Sequence, residues 1–155
     1  MMNTVNVSHF GLCVSNLEKS LRFYCDGLGF EKGTAYDIGN EAGRALEVEG
    51  DVVLASQFIG RDGVNIELLY FVSPRANGQP SASRNQLGLT HLSLYVDNID
   101  AVGKKLVEHG GKAIDDTDTT IVQDDGGKLR LIFFTDPDGC RIELMQQLGA
   151  SIANA

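Results

Sequence analysis

The chain has 155 residues, 43% of them hydrophobic and 22% charged, which is enough for one core or two small subdomains and excludes a low-complexity composition. Its 21 acidic residues against 13 basic ones give a formal charge of −8, which argues against nucleic acid and anionic membranes, since both demand a basic face. The expected partner is a small molecule or a second copy of the chain.

The opening residues, MMNTVNVSHF, carry no basic region ahead of an apolar core, and no apolar run approaches the ~18 residues of a membrane span. A soluble, cytoplasmic protein is expected. Its three cysteines, Cys13, Cys25 and Cys140, are odd in number and widely spaced, and read as reduced thiols. Along the chain, strands are expected near 5–14, 30–38, 45–49, 52–59 and 64–72, followed by a polar loop, 73–87. Further strands are expected near 88–96, 112–122, 129–135 and 140–147. Helices fit 17–28 and 99–109, each after an asparagine cap, Asn16 or Asn98, with Gly29 or Gly110 past its end. The fold class is then α+β: a βαβββ module over 1–73, a linker over 74–87, a second module over 88–148, and a frayed tail over 149–155.

The two modules repeat each other. His9-Phe-Gly-Leu-Cys-Val-Ser-Asn-Leu-Glu aligns without a gap on His91-Leu-Ser-Leu-Tyr-Val-Asp-Asn-Ile-Asp, matching Leu12 to Leu94, Val14 to Val96 and Asn16 to Asn98. Asp62-Gly-Val-Asn-Ile-Glu-Leu and Asp138-Gly-Cys-Arg-Ile-Glu-Leu share the form Asp-Gly-x-x-Ile-Glu-Leu. Asp-Gly signals a tight turn, and the β-rich stretch after it is the returning strand of a hairpin. Each half opens on a histidine strand and closes on a glutamate strand.

Side chains alternate between the faces of a strand, so neighbours give the direction of each polar residue. Phe10, Leu12 and Val14 form one row, opposite His9, Gly11 and Cys13. Leu92, Leu94 and Val96 form the matching row, opposite His91, Ser93 and Tyr95. Ile66 and Leu68 oppose Glu67, and Ile142 and Leu144 oppose Glu143. Alone, a strand histidine is more often structural and a strand glutamate more often solvated. Four residues in two equivalent pairs, all off the core face, point instead to one shared cation, which would neutralise two glutamates that are costly to bury unpaired. Two imidazoles and two carboxylates suit Zn, Ni, Co, Mn or Fe(II) and leave positions open for substrate, and the lack of a thiolate disfavours a closed structural zinc site.

On these residues the chain resembles the vicinal oxygen chelate superfamily, which contains lactoylglutathione lyase (glyoxalase I), methylmalonyl-CoA epimerase, extradiol dioxygenases and the fosfomycin and bleomycin resistance proteins. The resemblance rests on His9 with Leu17-Glu-Lys-Ser-Leu-Arg-Phe-Tyr and Leu28-Gly-Phe, on Gly88-Leu-Thr-His91-Leu-Ser-Leu-Tyr-Val-Asp, and on Asp136-Pro-Asp-Gly-Cys-Arg-Ile-Glu143. It implies tandem βαβββ modules curled into an open cup-shaped mixed sheet with helices outside, a divalent metal held by His9, Glu67, His91 and Glu143, and a homodimer. Whether the four ligands meet within one chain or across two stays open.

The His-Glu-His-Glu pattern is most similar to glyoxalase I, whereas extradiol dioxygenases use two histidines and one carboxylate. After Glu67, however, the run Leu-Leu-Tyr-Phe-Val lacks the Thr and Asn usual in glyoxalase I, and Ser73-Pro74 is more reminiscent of the epimerases, whose third-strand acid is replaced here by an apolar residue near Val52 or Val53. The chemistry implied is a glyoxalase-type lyase or isomerase that chelates vicinal oxygens and shuttles a proton through an enediolate or enolate, with Glu143 as first choice for the base and Glu67 as its partner. Leu69, Phe71, Tyr95 and Met145 would line the substrate pocket, although packing of the sheet explains them about equally well. Arg75 and Arg84 are candidates for an anionic substrate tail, with solvated loop arginines the commoner case. An acyl-CoA epimerase, a metal-free resistance protein that sequesters a drug or natural product, and a dioxygenase are the alternatives.

Overall fold

The computed structural model describes residues 5–149, and the chain divides after Gly78 into two compact units. The first unit runs β1 (Phe10–Cys13), α1 (Leu17–Leu21), a π-helical segment (Arg22–Gly27), β2 (Glu31–Ile38), a short 3-10 turn (Asn40–Ala42), β3 (Val53–Arg61) and β4 (Val64–Ser73). The second runs β5 (Leu92–Tyr95), α2 (Ile99–Glu108), β6 (Lys112–Val122), β7 (Lys128–Thr135) and β8 (Arg141–Leu148). Each forms a four-stranded mixed sheet, in the orders β1-β4-β3-β2 and β5-β8-β7-β6. The first strand of each sheet runs parallel to the last, and the other neighbours are antiparallel. Two βαβββ modules are therefore present.

The helices start where the asparagines predict. Asn16 Oδ1 accepts from the Lys19 amide and Asn98 Oδ1 from the Ala101 amide, each at 2.9 Å, satisfying an amide that has no partner inside the helix. The first helix does not continue as a regular α-helix to residue 28. From Arg22 it widens, with Leu28 N bonding Phe23 O at 3.1 Å, five residues back. Adjacent Phe23 and Tyr24 are both buried, ring against ring at 5.1 Å. They anchor the first core with Leu28, Phe30, Leu54, Ile66 and Leu68, while Ile99, Leu106, Phe134, Ile142 and Leu144 form the second. Full burial of each aliphatic side chain contributes about 1.5–3 kcal/mol.

Two further sequence expectations need correction. Residues 45–49 form no strand: Leu46 N bonds Ala42 O, Val48 N bonds Gly43 O, and Glu47 takes a left-handed φ of 54°. These local bonds curl the segment into turns, and the alternation of Leu46 and Val48 misleads because the segment joins no strand ladder among the described residues. The strands 5–14 and 88–96 are also shorter than expected, at Phe10–Cys13 and Leu92–Tyr95. Ladder pairing begins at Phe10 with Ile66 and at Leu92 with Ile142, so each histidine sits one residue ahead of its strand. Ahead of β1, the Asn65 side chain donates to Ser8 O at 3.3 Å where a ladder bond would otherwise continue.

The Asp-Gly turns are not alike. Asp62 and Gly63 both have positive φ, 51° and 80°, and close a two-residue hairpin between β3 and β4. The second connection is longer, because the buried Asp136 side chain accepts from the amides of Asp138 and Cys140 and organises residues 136–140. Of the expected tail 149–155, residues 150–155 lie outside the described residues.

Candidate metal centre

In the first unit, β4 carries Glu67 beside Gly11 of β1 and Phe58 of β3. Ile66 and Leu68 are buried on the face that meets α1, so alternation places Glu67 and Leu69 on the other face. His9 reaches that face from just ahead of β1, with its Nε2 3.1 Å from Glu67 Oε2. The Phe58 ring stands edge-on to the imidazole, 5.0 Å between centroids, and restricts how it can turn. His9 Nδ1 lies 2.9 Å from the Ser8 hydroxyl, and Glu67 Oε1 accepts from the Ser56 hydroxyl at 2.5 Å.

The second unit repeats this with different chain segments. Glu143 of β8 lies beside Ser93 of β5 and Phe133 of β7. His91 Nε2 is 3.5 Å from Glu143 Oε2, and the Phe133 ring stands edge-on to it at 5.2 Å. Its Nδ1 lies 2.8 Å from the Thr90 hydroxyl, and Ser93 Oγ donates to Glu143 Oε2 at 2.6 Å. Both glutamate side chains are largely shielded, at 16% and 13% exposure, whereas both histidine side chains are 33% exposed.

The donor chemistry can be tested against a cation from these contacts. When Nδ1–H donates to the neighbouring hydroxyl oxygen, Nε2 presents a lone pair to a carboxylate oxygen. Two such acceptors repel unless a positive charge lies between them. A metal with bonds of about 2.1 Å sets neighbouring ligand atoms about 3.0–3.4 Å apart, close to the observed 3.1 and 3.5 Å. A proton on the imidazole satisfies the same spacing. Among the described residues no cluster of three or more His, Cys, Asp or Glu is gathered, so each unit by itself supplies one His–Glu pair. The pairs fit the imidazole and carboxylate ligands of a divalent centre.

The other candidate residues are distributed as follows. Leu69 and Phe71 are half-buried on the Glu67 face, Met145 is half-buried on the Glu143 face, and Tyr95 is exposed on β5. Arg75 is exposed. Arg84 is occupied within its own loop: its guanidinium donates to Thr90 O at 3.0 Å and also to Ser81 O, bracing the segment that leads into His91. Sequence reasoning missed the hydroxyls of Ser8, Ser56 and Thr90 and the two phenylalanines, and placed Ser93 on the His91 face without giving it a role. Ser8 and Thr90 carry a usable signal, since each immediately precedes its histidine in the repeat. Ser56 carries none, because the corresponding residue of the second unit is Leu131. Among the described residues, no helix is long and apolar enough to cross a membrane.

Comparison with known proteins agrees with the fold. The family described as the Glyoxalase/Bleomycin resistance protein/Dioxygenase superfamily matches residues 6–144. The chain is 33% identical over 148 residues to the uncharacterized protein YaeR of Escherichia coli, covering 95% of this chain and all of that one. It is 30% identical over 144 residues to a probable lactoylglutathione lyase of Synechocystis sp., covering 89% of this chain and 92% of that one. Its fold is similar to the crystal structure of a glyoxalase family protein from Bacillus cereus, with a TM-score of 0.79 and 20% identity over 96% of this chain and 97% of that one. With the repeated βαβββ fold and its paired histidines and glutamates, the match over most of the chain identifies it as a member of the Glyoxalase/Bleomycin resistance protein/Dioxygenase superfamily.

Proposed function

We propose that the chain is a divalent-metal-dependent lyase or isomerase of the glyoxalase type, with His9, Glu67, His91 and Glu143 as ligands of one cation. The observation that carries this reading is the repeated motif: in each unit a hydroxyl-backed imidazole directs Nε2 at a shielded carboxylate. A cation held there would bind two neighbouring oxygens of a substrate and draw charge from them. Glu143 then takes a proton from the carbon next to those oxygens and returns it to the adjacent carbon, with Glu67 as its counterpart. Leu69, Phe71, Tyr95 and Met145 supply apolar lining, and Arg75 is the loop cation available for an anionic tail.

The Synechocystis relative supports a thiohemiacetal of glutathione as the first substrate to try, with an acyl-CoA carrying an acidic α-proton as the second. A homodimer is part of the proposal. The test combines metal analysis of the purified protein with proton exchange from each substrate. The Glu143→Gln variant should retain much of the metal and lose turnover by about 100-fold or more, the scale of a lost general base. Unchanged turnover would overturn the role of Glu143, and wild-type protein that takes up no metal would overturn the reading as a whole.

A further inference from the structure

We propose that Ser56 is a positioning residue that commits Glu67 to one orientation, while Glu143, with no equivalent restraint, keeps a carboxylate free to turn. The inference rests on the cation reading above and divides the two glutamates by their hydrogen bonds. Glu67 has a different neighbour at each oxygen: Oε1 accepts from the Ser56 hydroxyl at 2.5 Å, which leaves Oε2 turned to His9 Nε2 at 3.1 Å. Glu143 is held at one oxygen: the Ser93 hydroxyl and His91 both address Oε2, and Oε1 has no hydrogen-bond partner among the described residues.

The serines also differ in their setting. Ser56 is 1% exposed and lies on β3, between β2 and β4, where strands on both sides fix its backbone. A buried hydroxyl that lost its acceptor would be left without a partner and out of reach of water, so its bond to Glu67 persists. A hydroxyl donating to a carboxylate is also among the stronger hydrogen bonds. Ser93 is exposed on the edge strand β5, where water can replace it.

The repeat shows that the difference belongs to the two halves and not to the fold. Ser56 stands opposite Leu69, and the residue that stands in the same way opposite Met145 is Leu131. Ser93 stands beside Glu143, and the residue in the same way beside Glu67 is Gly11. Each half has lost or gained its hydroxyl at a different strand. Turning the Glu67 carboxylate breaks a buried charge-assisted bond, whereas turning that of Glu143 brings a free oxygen round.

The experiment compares wild type, Ser56→Ala and Ser93→Ala as full chains loaded with Co(II), by chelator competition and visible absorption. Ser56→Ala should weaken Co(II) binding about 10- to 100-fold, the usual cost of losing an outer partner of a ligand, and change the absorption envelope. Ser56→Thr, which keeps the hydroxyl, should restore both. Ser93→Ala should stay within about threefold of wild type in Co(II) affinity, a change too small for a lost ligand support. Wild-type-like binding and spectrum in Ser56→Ala would overturn the inference, as would an equal loss in Ser93→Ala. Wild-type protein that binds no Co(II) would instead overturn the cation reading, and this inference with it.

Discussion

Glu67 and Glu143 occupy equivalent ladder positions, each opposite a phenylalanine on the antiparallel neighbour, and still end with different hydrogen bonds. Strand parity is enough to place each glutamate on the histidine face, because a period of two is imposed by the backbone. It gives no information about which hydroxyl arrives from a third strand, since that depends on register. The pairing of His9 with Glu67 and of His91 with Glu143 was therefore legible in the sequence, as was the face that Ser93 occupies, whereas the approach of Ser56 to Glu67 was not.

A second carboxylate shows how charge acts elsewhere. Asp118 accepts from Nε and Nη2 of Arg130 at 2.9 and 2.7 Å, and those hydrogen bonds hold its carboxyl below the usual carboxylate range. A lowered native value adds stability that is complete above the unfolded value and is lost as pH falls through the native one. Asp118→Asn should therefore lower stability slightly at pH 7, since the pair is exposed, and the gap to wild type should close below about pH 4. Urea unfolding across that range checks it, and a gap that widened in acid would contradict the assignment.

At the scale of elements, both outer hairpins carry a bulge beside the phenylalanine that packs on a histidine. The β2–β3 register shifts between Lys32 and Ala35, where the Gln57 side chain donates to the carbonyls of Gly33 and Thr34. The β6–β7 register shifts between Ile114 and Thr119, where Thr117 Oγ1 accepts from the Phe133 amide at 2.8 Å. A side chain bonds the bulged backbone in each case, and Gln57 Nε2 also donates to Phe58 O at 2.9 Å, so each aromatic residue has a backbone group satisfied by a side chain. The order of strands and helices was legible because hydrophobic period and asparagine caps are local signals. The bulges, the π-helical widening after Arg22 and the turns at 45–49 were not, because each depends on what the neighbouring segment offers.

Packing of α2 gives a further expectation. Gly103 lies where the helix meets β7, and a β-carbon there would stand 2.6 Å from the end of the buried Phe134 ring. Gly103→Ala improves intrinsic helix propensity by about 1 kcal/mol. Overpacking against a ring that cannot move away costs about 1–3 kcal/mol. The clash should prevail and lower the thermal midpoint, whereas a raised midpoint would show that Phe134 yields.

For the whole molecule, the formal charge of −8 and two carboxylate-bearing sites favour a bound cation over a bound anion. A ligand that binds only the native state adds about 2.7 kcal/mol at a hundredfold excess over its dissociation constant. Zn(II), Ni(II) or Co(II) at that excess should raise the thermal midpoint by several degrees, and a chelator should reverse the shift. Calorimetry with and without metal reads this directly, and a midpoint insensitive to every divalent metal would count against the site.

The parallel contact between the first and last strands of each unit has a consequence for folding. Glu67 and Glu143 stand on the last strand of their units, each beside a first strand whose histidine lies just ahead of it. Neither His–Glu pair exists in a partly folded unit, because the contact closes only after the intervening helix and hairpin have been laid down. A chain emerging from synthesis would hold the first histidine without its glutamate until the fourth strand docks, so the meeting of His9 with Glu67 would mark completion of the first unit's fold.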